Sequence, residues 1–258
     1  MYHKKLSLSL IFITMCLNNI VYGLNKDDST LNPDISNMYN VQATQANIIN
    51  SNYIEKGIDV STWQGQIDWL KVKKDGIDFA IIRAGFGRNE PRQVDVRFHE
   101  NMKNAQAAGI KCGAYHYSYA KSPEDAKNEA NFFLSIIKGY KFDYPVVFDI
   151  EDQSMKKLGK RTLTDICKTF CSTVKKQGYH VAIYSNPDFL RNNLYANELK
   201  EYGLWLAHYN DTPAPDFDYH IIWQCTRSGQ VNGINGNVDI NYSKYNFNLS
   251  KNENRALH

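Results

Sequence analysis

Short apolar runs with strand composition alternate along this chain with stretches of helical period, and that order restricts the folds open to it. Eight strands are predicted, at residues 57–60, 79–84, 111–117, 144–150, 180–184, 204–209, 220–224 and 238–240. Helical patterns lie between the earlier ones, at 96–108, 123–138 and 163–177. Ser122-Pro123 offers a helix start, and Gly109, Gly139 and Gly178 offer helix ends. Strands alternating with helices imply a parallel sheet. Eight of them in about 200 residues, the ordinary size of one β/α barrel, imply a closed ring, with little helix joining the last three. The expected fold is therefore α/β: a modified TIM-like β/α barrel with eight strands and a reduced set of helices in its second half. An open doubly wound sheet is the alternative, but Gly85-Phe86-Gly87 lacks the third glycine of a dinucleotide loop.

The amino terminus has the make-up of an export signal. Lys4 and Lys5 precede the apolar stretch Leu6 to Leu17, and Val21-Tyr22-Gly23 offers small residues for cleavage. The stretch is short and broken by Asn18 and Asn19, which argues against stable membrane insertion. The expected organisation is a signal peptide at 1–23, a polar leader or linker at 24–54, one barrel domain at 55–248 and a polar tail at 249–258. The expected location is secreted, or extracellular. Residues 1–23 hold two Lys and no acid, so cleavage would lower the formal net charge from +3 to +1. That balance offers no basic stripe for nucleic acid. Of the five cysteines, Cys112, Cys167, Cys171 and Cys225 lie beyond the signal, and they are expected as buried thiols or one disulfide. Cys167 and Cys171 have no partner at zinc spacing, so no metal and no cofactor are expected.

The chemistry centres on Asp149-Ile150-Glu151, at the end of the apolar run Tyr144-Pro145-Val146-Val147-Phe148. Side chains alternate along a strand, so the two acids share a face, about 6–7 Å apart by the strand repeat. Paired carboxylates near that spacing are what cleavage of a glycosidic bond uses: one protonates the leaving oxygen while a second group meets the developing cation. In a parallel barrel the active site lies at the carboxyl ends of the strands. Asp59 ends the first predicted strand and Asp239 lies in the last, so four acids could meet at one mouth. Taken singly, each could instead be a helix cap or a turn former.

A set of short motifs adds to this. Gly57-Ile58-Asp59-Val60-Ser61 with Gln64 opens it. Phe79-Ala80-Ile81-Ile82-Arg83-Ala84-Gly85, Gly113-Ala114-Tyr115-His116-Tyr117, Asp149-Ile150-Glu151, Ile183-Tyr184-Ser185-Asn186, Leu204-Trp205-Leu206-Ala207, Trp223-Gln224 and Asp239 follow in order. In these motifs the chain resembles the lysozymes of glycoside hydrolase family 25, the N,O-diacetylmuramidases, over about residues 55–245. The resemblance implies hydrolysis of the β-1,4 bond from N-acetylmuramic acid to N-acetylglucosamine, with bacterial peptidoglycan as partner. The expected working unit is a monomer. The resemblance also implies that Glu151 is the catalytic acid/base and Asp149 its partner, either as nucleophile or as stabiliser of an oxazolinium formed by the substrate's acetamido group. Asp59 and Asp239 would complete the acidic cluster.

Tyr115, Tyr117, Tyr184, Trp205 and Trp63 are the candidate sugar-stacking aromatics, although alternation sends some of the strand residues into the barrel core. The run Lys156-Lys157-Leu158-Gly159-Lys160-Arg161 is either a solvated loop or an attractor for anionic wall. Asn210, Asn241 and Asn248 begin glycosylation sequons. Three competing functions are a chitinase, a wall-binding module that has lost catalysis, and a metal-dependent hydrolase. The chitinase pattern fails at Tyr144, which stands where an acid is needed, and four intact acids argue against a silent module.

Overall fold

The computed structural model describes residues 52–88 and 90–245. The expected signal peptide, most of the leader, the tail, Cys16 and the Asn248 sequon lie outside the described residues.

Eight strands close into a barrel in sequence order. They are β1 (Glu55–Val60), β2 (Phe79–Phe86), β3 (Lys111–Tyr117), β4 (Val146–Asp149), β5 (Val181–Ser185), β6 (Gly203–Ala207), β7 (Ile222–Gly229) and β8 (Val238–Ser243). The helices around it are α1 (Trp69–Lys74), α2 (Phe98–Ala107), α3 (Pro123–Ile137), α4 (Lys160–Lys175) and α5 (Pro187–Asn193). Pro123 opens α3 with the Ser122 hydroxyl accepting from the Asp125 N–H at 3.1 Å. Gly109, Gly139 and Gly178 have positive φ, as expected for residues that follow helices.

The expectation of an all-parallel ring is corrected at its closure. β1 to β7 run parallel, but β8 pairs antiparallel with both β7 and β1. The reason is chain length: residues 230–237 make the whole link from β7 to β8. A parallel return needs a crossover of a dozen residues or more. The reversal still puts Asp239 on the expected rim. The amino end of β8 lies beside the carboxyl ends of its neighbours, and Asp239 is in register with Asp59.

Burial follows from two layers. β4 is buried along its whole length, consistent with a strand covered by helices outside and side chains within. Outside the ring, Phe148 stacks on Phe170 of α4 at 4.2 Å between centroids, and Phe170 packs against Phe133 of α3 at 5.7 Å. Inside, the lower end is filled by Phe79 stacked on Tyr144 at 4.1 Å. Gly57 is required there, since a Cβ on it would stand 2.4 Å from the Phe79 ring. Ile81, Val147, Ala182, Tyr184 and Trp205 fill the space above.

All four cysteines of the described residues are free thiols. Cys112, Cys167 and Cys171 are buried, and burial pushes the Cys112 thiol up to about 12, where little thiolate forms. Cutting Phe170 to Ala should destabilise the fold by about 3–5 kcal/mol, the usual cost of a large buried ring. Urea unfolding would read this, and a loss below about 1 kcal/mol would contradict this role of the aromatic cluster.

Candidate active site

The four acids occupy one rim. Asp149 is the last residue of β4 and only 5% exposed. Glu151 lies two residues beyond the strand, yet the extended backbone continues to it. Ile150 N–H donates to the Tyr184 carbonyl at 3.1 Å, and the Ser185 hydroxyl donates to the Ile150 carbonyl at 3.0 Å. Alternation therefore persists past the end of β4. Ile150 is buried in the core between ring and helices, while Asp149 and Glu151 flank it on the mouth side.

Asp59 is fixed from two other strands. One of its oxygens, Oδ2, accepts the Gln224 amide and the Asn241 amide, each at 2.8 Å. Gln224 is itself held, because its Oε1 accepts the hydroxyls of Tyr184 and Tyr209 at 2.8 Å each. Asn241 Oδ1 accepts the Trp205 indole N–H at 2.7 Å. Burial, then the charge of Asp239, holds the Asp59 carboxyl well above the usual range, and burial raises Asp239 as well.

Asp149 is also pushed well up, by burial first and then by Glu151 and Asp59, with Arg83 opposing. Its Oδ1 is buried without a hydrogen-bond partner among the described residues. Arg83 is held by Asp95 at 2.8 Å, and Asp95 also accepts the N–H groups of Thr62 and Arg97. Glu151 is raised by burial, while the Asn186 amide at 3.3 Å opposes the shift. Asn186 is the cap of α5, its Oδ1 accepting from the Phe189 N–H. One helix cap thus orients one acid.

The model of the Glycosyl hydrolases family 25 matches residues 58–234. The chain belongs to this family. It is 38% identical over 204 residues to the uncharacterized protein YegX of Escherichia coli, a match covering 75% of this chain and 71% of that one. The autolytic lysozyme of Clostridium acetobutylicum is 31% identical over 189 residues, 72% of this chain and 54% of its own length. Among solved structures, the bacterial lysozyme from Streptomyces coelicolor superposes with a TM-score of 0.69 at 31% identity, covering 77% of this chain and 97% of that one. The CTP1L endolysin gives a TM-score of 0.69 at 32% identity, over 78% of this chain and 70% of its own.

The aromatic candidates of this family 25 chain separate by depth. Trp63 stands on the turn Thr62–Gln64 just above Asp59 and is 82% exposed. Tyr117 is half-buried and donates to Asp152 at 3.1 Å. Tyr115 is half-buried, with its ring edge on Trp205 at 6.2 Å. Tyr184 is buried, its ring against Trp205 at 4.6 Å and its hydroxyl on Gln224. Trp205, 1% exposed, is a core residue with no free face for a sugar, which corrects its candidacy as a stacking surface.

Gln224, Asn241, Asn186, Arg83, Asp95, Asp152 and Tyr209 carry no individual mark of a role in the sequence. Asn241 stood out only as a sequon, and its complete burial rules out glycosylation in the folded chain. Lys156 pairs with Asp188 and Arg161 with Asp165 and Glu198, so that basic run is partly neutralised. A carboxyl with a raised folded-state pKa gives stability that is whole below the unfolded value, about 3.9, and is lost as pH rises through the folded one. Asp149→Asn should therefore melt higher than the wild type at pH 7, by at least about 2–4 °C. The difference should vanish below about pH 3.9. Melting curves across that range would show it, and a gain that did not depend on pH would refute the raised value.

Proposed function

We propose that this chain is an exported muramidase, hydrolysing the β-1,4 bond between N-acetylmuramic acid and N-acetylglucosamine in bacterial peptidoglycan. The observation that carries the reading is the convergence of Asp59, Asp149, Glu151 and Asp239 on one rim of a family 25 barrel. Glu151 suits the acid/base. It is the acid beyond the strand end, partly exposed at the mouth, and burial raises its carboxyl above the usual range, as a general acid needs.

Asp149 suits an assisted reaction. Its buried Oδ1 has no donor among the described residues, and the acetamido N–H of a bound N-acetylmuramic acid would supply one. Glu151 gives its proton to the bridging oxygen as the C1–O bond breaks, and the acetamido carbonyl oxygen attacks C1 to form an oxazolinium. The acetamido N–H gives Asp149 the donor it lacks and so favours its ionised form, and the carboxylate accepts that bond and balances the charge. Water then attacks C1, gives its proton to the Glu151 carboxylate and reopens the ring, leaving the anomeric configuration retained. Asp59 and Asp239, in register on neighbouring strands, complete the acidic surface that faces the cationic sugar.

Tyr117 and the exposed Trp63 suit sugar contact, while Tyr115 and Tyr184 line the depth of the site. The thin helical cover after β6 suits a cleft open to a polymer. All four acids come from one chain, so a monomer suffices. Export fits the basic, apolar start at Lys4 to Leu17 and a substrate that lies outside the cytoplasm.

Glu151→Gln should cut turnover on purified peptidoglycan about 10²–10⁴-fold, the usual share of a general acid, while binding to sugar strands stays measurable. Mass spectrometry of the products should find N-acetylmuramic acid at the new reducing ends. N-acetylglucosamine there, or hydrolysis of chitin alone, would overturn the assignment. A glycosyl–Asp149 adduct would replace the assisted route with a covalent one.

A further inference from the structure

Strand β7 is irregular where it passes the site. Gln224 pairs with Asn241, Thr226 with Ile240 and Gly229 with Val238. Between the last two pairs β7 advances three residues while β8 advances two. Arg227 and Ser228 therefore stand opposite Asp239 alone. Such bulges re-aim side chains, and they are common beside active sites. Here the bulge sets an exposed arginine at the rim, with its guanidinium carbon 5.8 Å from the centre of the Tyr209 ring. Tyr209 is 46% exposed, and its hydroxyl holds Gln224, which in turn holds Asp59. A short chain of contacts thus runs from the guanidinium to the acidic cluster.

Two features separate Arg227 from the other cations. Arg83, the other arginine acting on the cluster, is committed to Asp95. Arg227 forms no ion pair among the described residues, and its charge reaches Asp239, whose carboxyl it helps to hold down. A guanidinium near Asp239 that forms no ion pair among the described residues has its planar donors available to an incoming anion.

We propose that Arg227 is a substrate-binding residue that receives a carboxylate of the glycan strand and so favours muramic acid polymers over neutral ones. The proposal rests on the muramidase reading above. Two carboxylates of peptidoglycan have the required chemistry: those of the stem peptide, and the lactyl carboxylate exposed once that peptide is removed. Tyr209 provides the platform that keeps the guanidinium extended over the cleft instead of folding onto Asp239.

The test compares the wild type, R227Q and R227K on three substrates. These are peptidoglycan strands with stem peptides, strands stripped of peptide by an amidase, and stripped strands with their carboxylates reduced to alcohols. The wild type should show a KM about tenfold or more lower on a carboxylate-bearing strand than on the reduced one, with kcat little changed. R227Q should lose that preference, and R227K should keep part of it. Added salt should raise the wild-type KM and leave that of R227Q flat. A preference confined to the peptide-bearing strand assigns the stem-peptide carboxylate, and one shared with the stripped strand assigns the lactyl group. An R227Q enzyme with wild-type KM on all three, or one impaired equally on the reduced strand, overturns the proposal while the muramidase reading stands. A wild type inactive on every strand overturns both.

Discussion

The carboxyl of Asp59 accepts the side-chain amides of Gln224 and Asn241 on a single oxygen, so β1, β7 and β8 converge on one atom. A buried carboxyl without donors would be costly, and two amide donors offset much of that cost. Each donor is held in turn, Gln224 by two tyrosine hydroxyls and Asn241 by the Trp205 indole. The network stitches the antiparallel closure of the barrel and fixes the floor of the mouth. Were Gln224 free to turn, Asp59 would lose one of its two donors.

Repulsion organises the remaining acids. Four carboxyls cannot all ionise in a buried cluster, so protons are retained where burial is deepest and donors are fewest. Burial and the charge of Asp239 raise Asp59, and burial, then Glu151 and Asp59, raise Asp149 against the pull of Arg83. Glu151 stands further out and is steadied by the Asn186 amide, a position from which a proton can pass to a bound strand. The difference in roles comes from depth, since the four groups share the same chemistry.

Much of this was legible in the sequence. The strand count followed from alternating apolar runs, and the acids followed from their places at run ends. The direction of β8 was not legible from pattern, because period two is the same read either way; the predicted link, residues 225–237, was long enough for a crossover, and the extension of β7 to Gly229 is what shortens it. Glu151 kept its face through backbone bonds from Ile150 and Tyr184, which extend alternation beyond β4. The amides were harder to find. Asn241 looks like a sequon and Gln224 like any polar strand residue until the ring closes and sets them beside Asp59. Trp205 was equally ambiguous, since alternation shows that a residue faces the barrel axis but not how deep it lies.

The stack of Phe79 on Tyr144, with Gly57 cleared to admit it, plugs the barrel at the end opposite the acids. The site is consequently a dish with one opening. Water, substrate and product all use the same side, so a bound strand also governs when water can reach the reacting carbon. Among the described residues that plug leaves the acidic rim as the side from which a strand, and the water that hydrolyses it, both arrive.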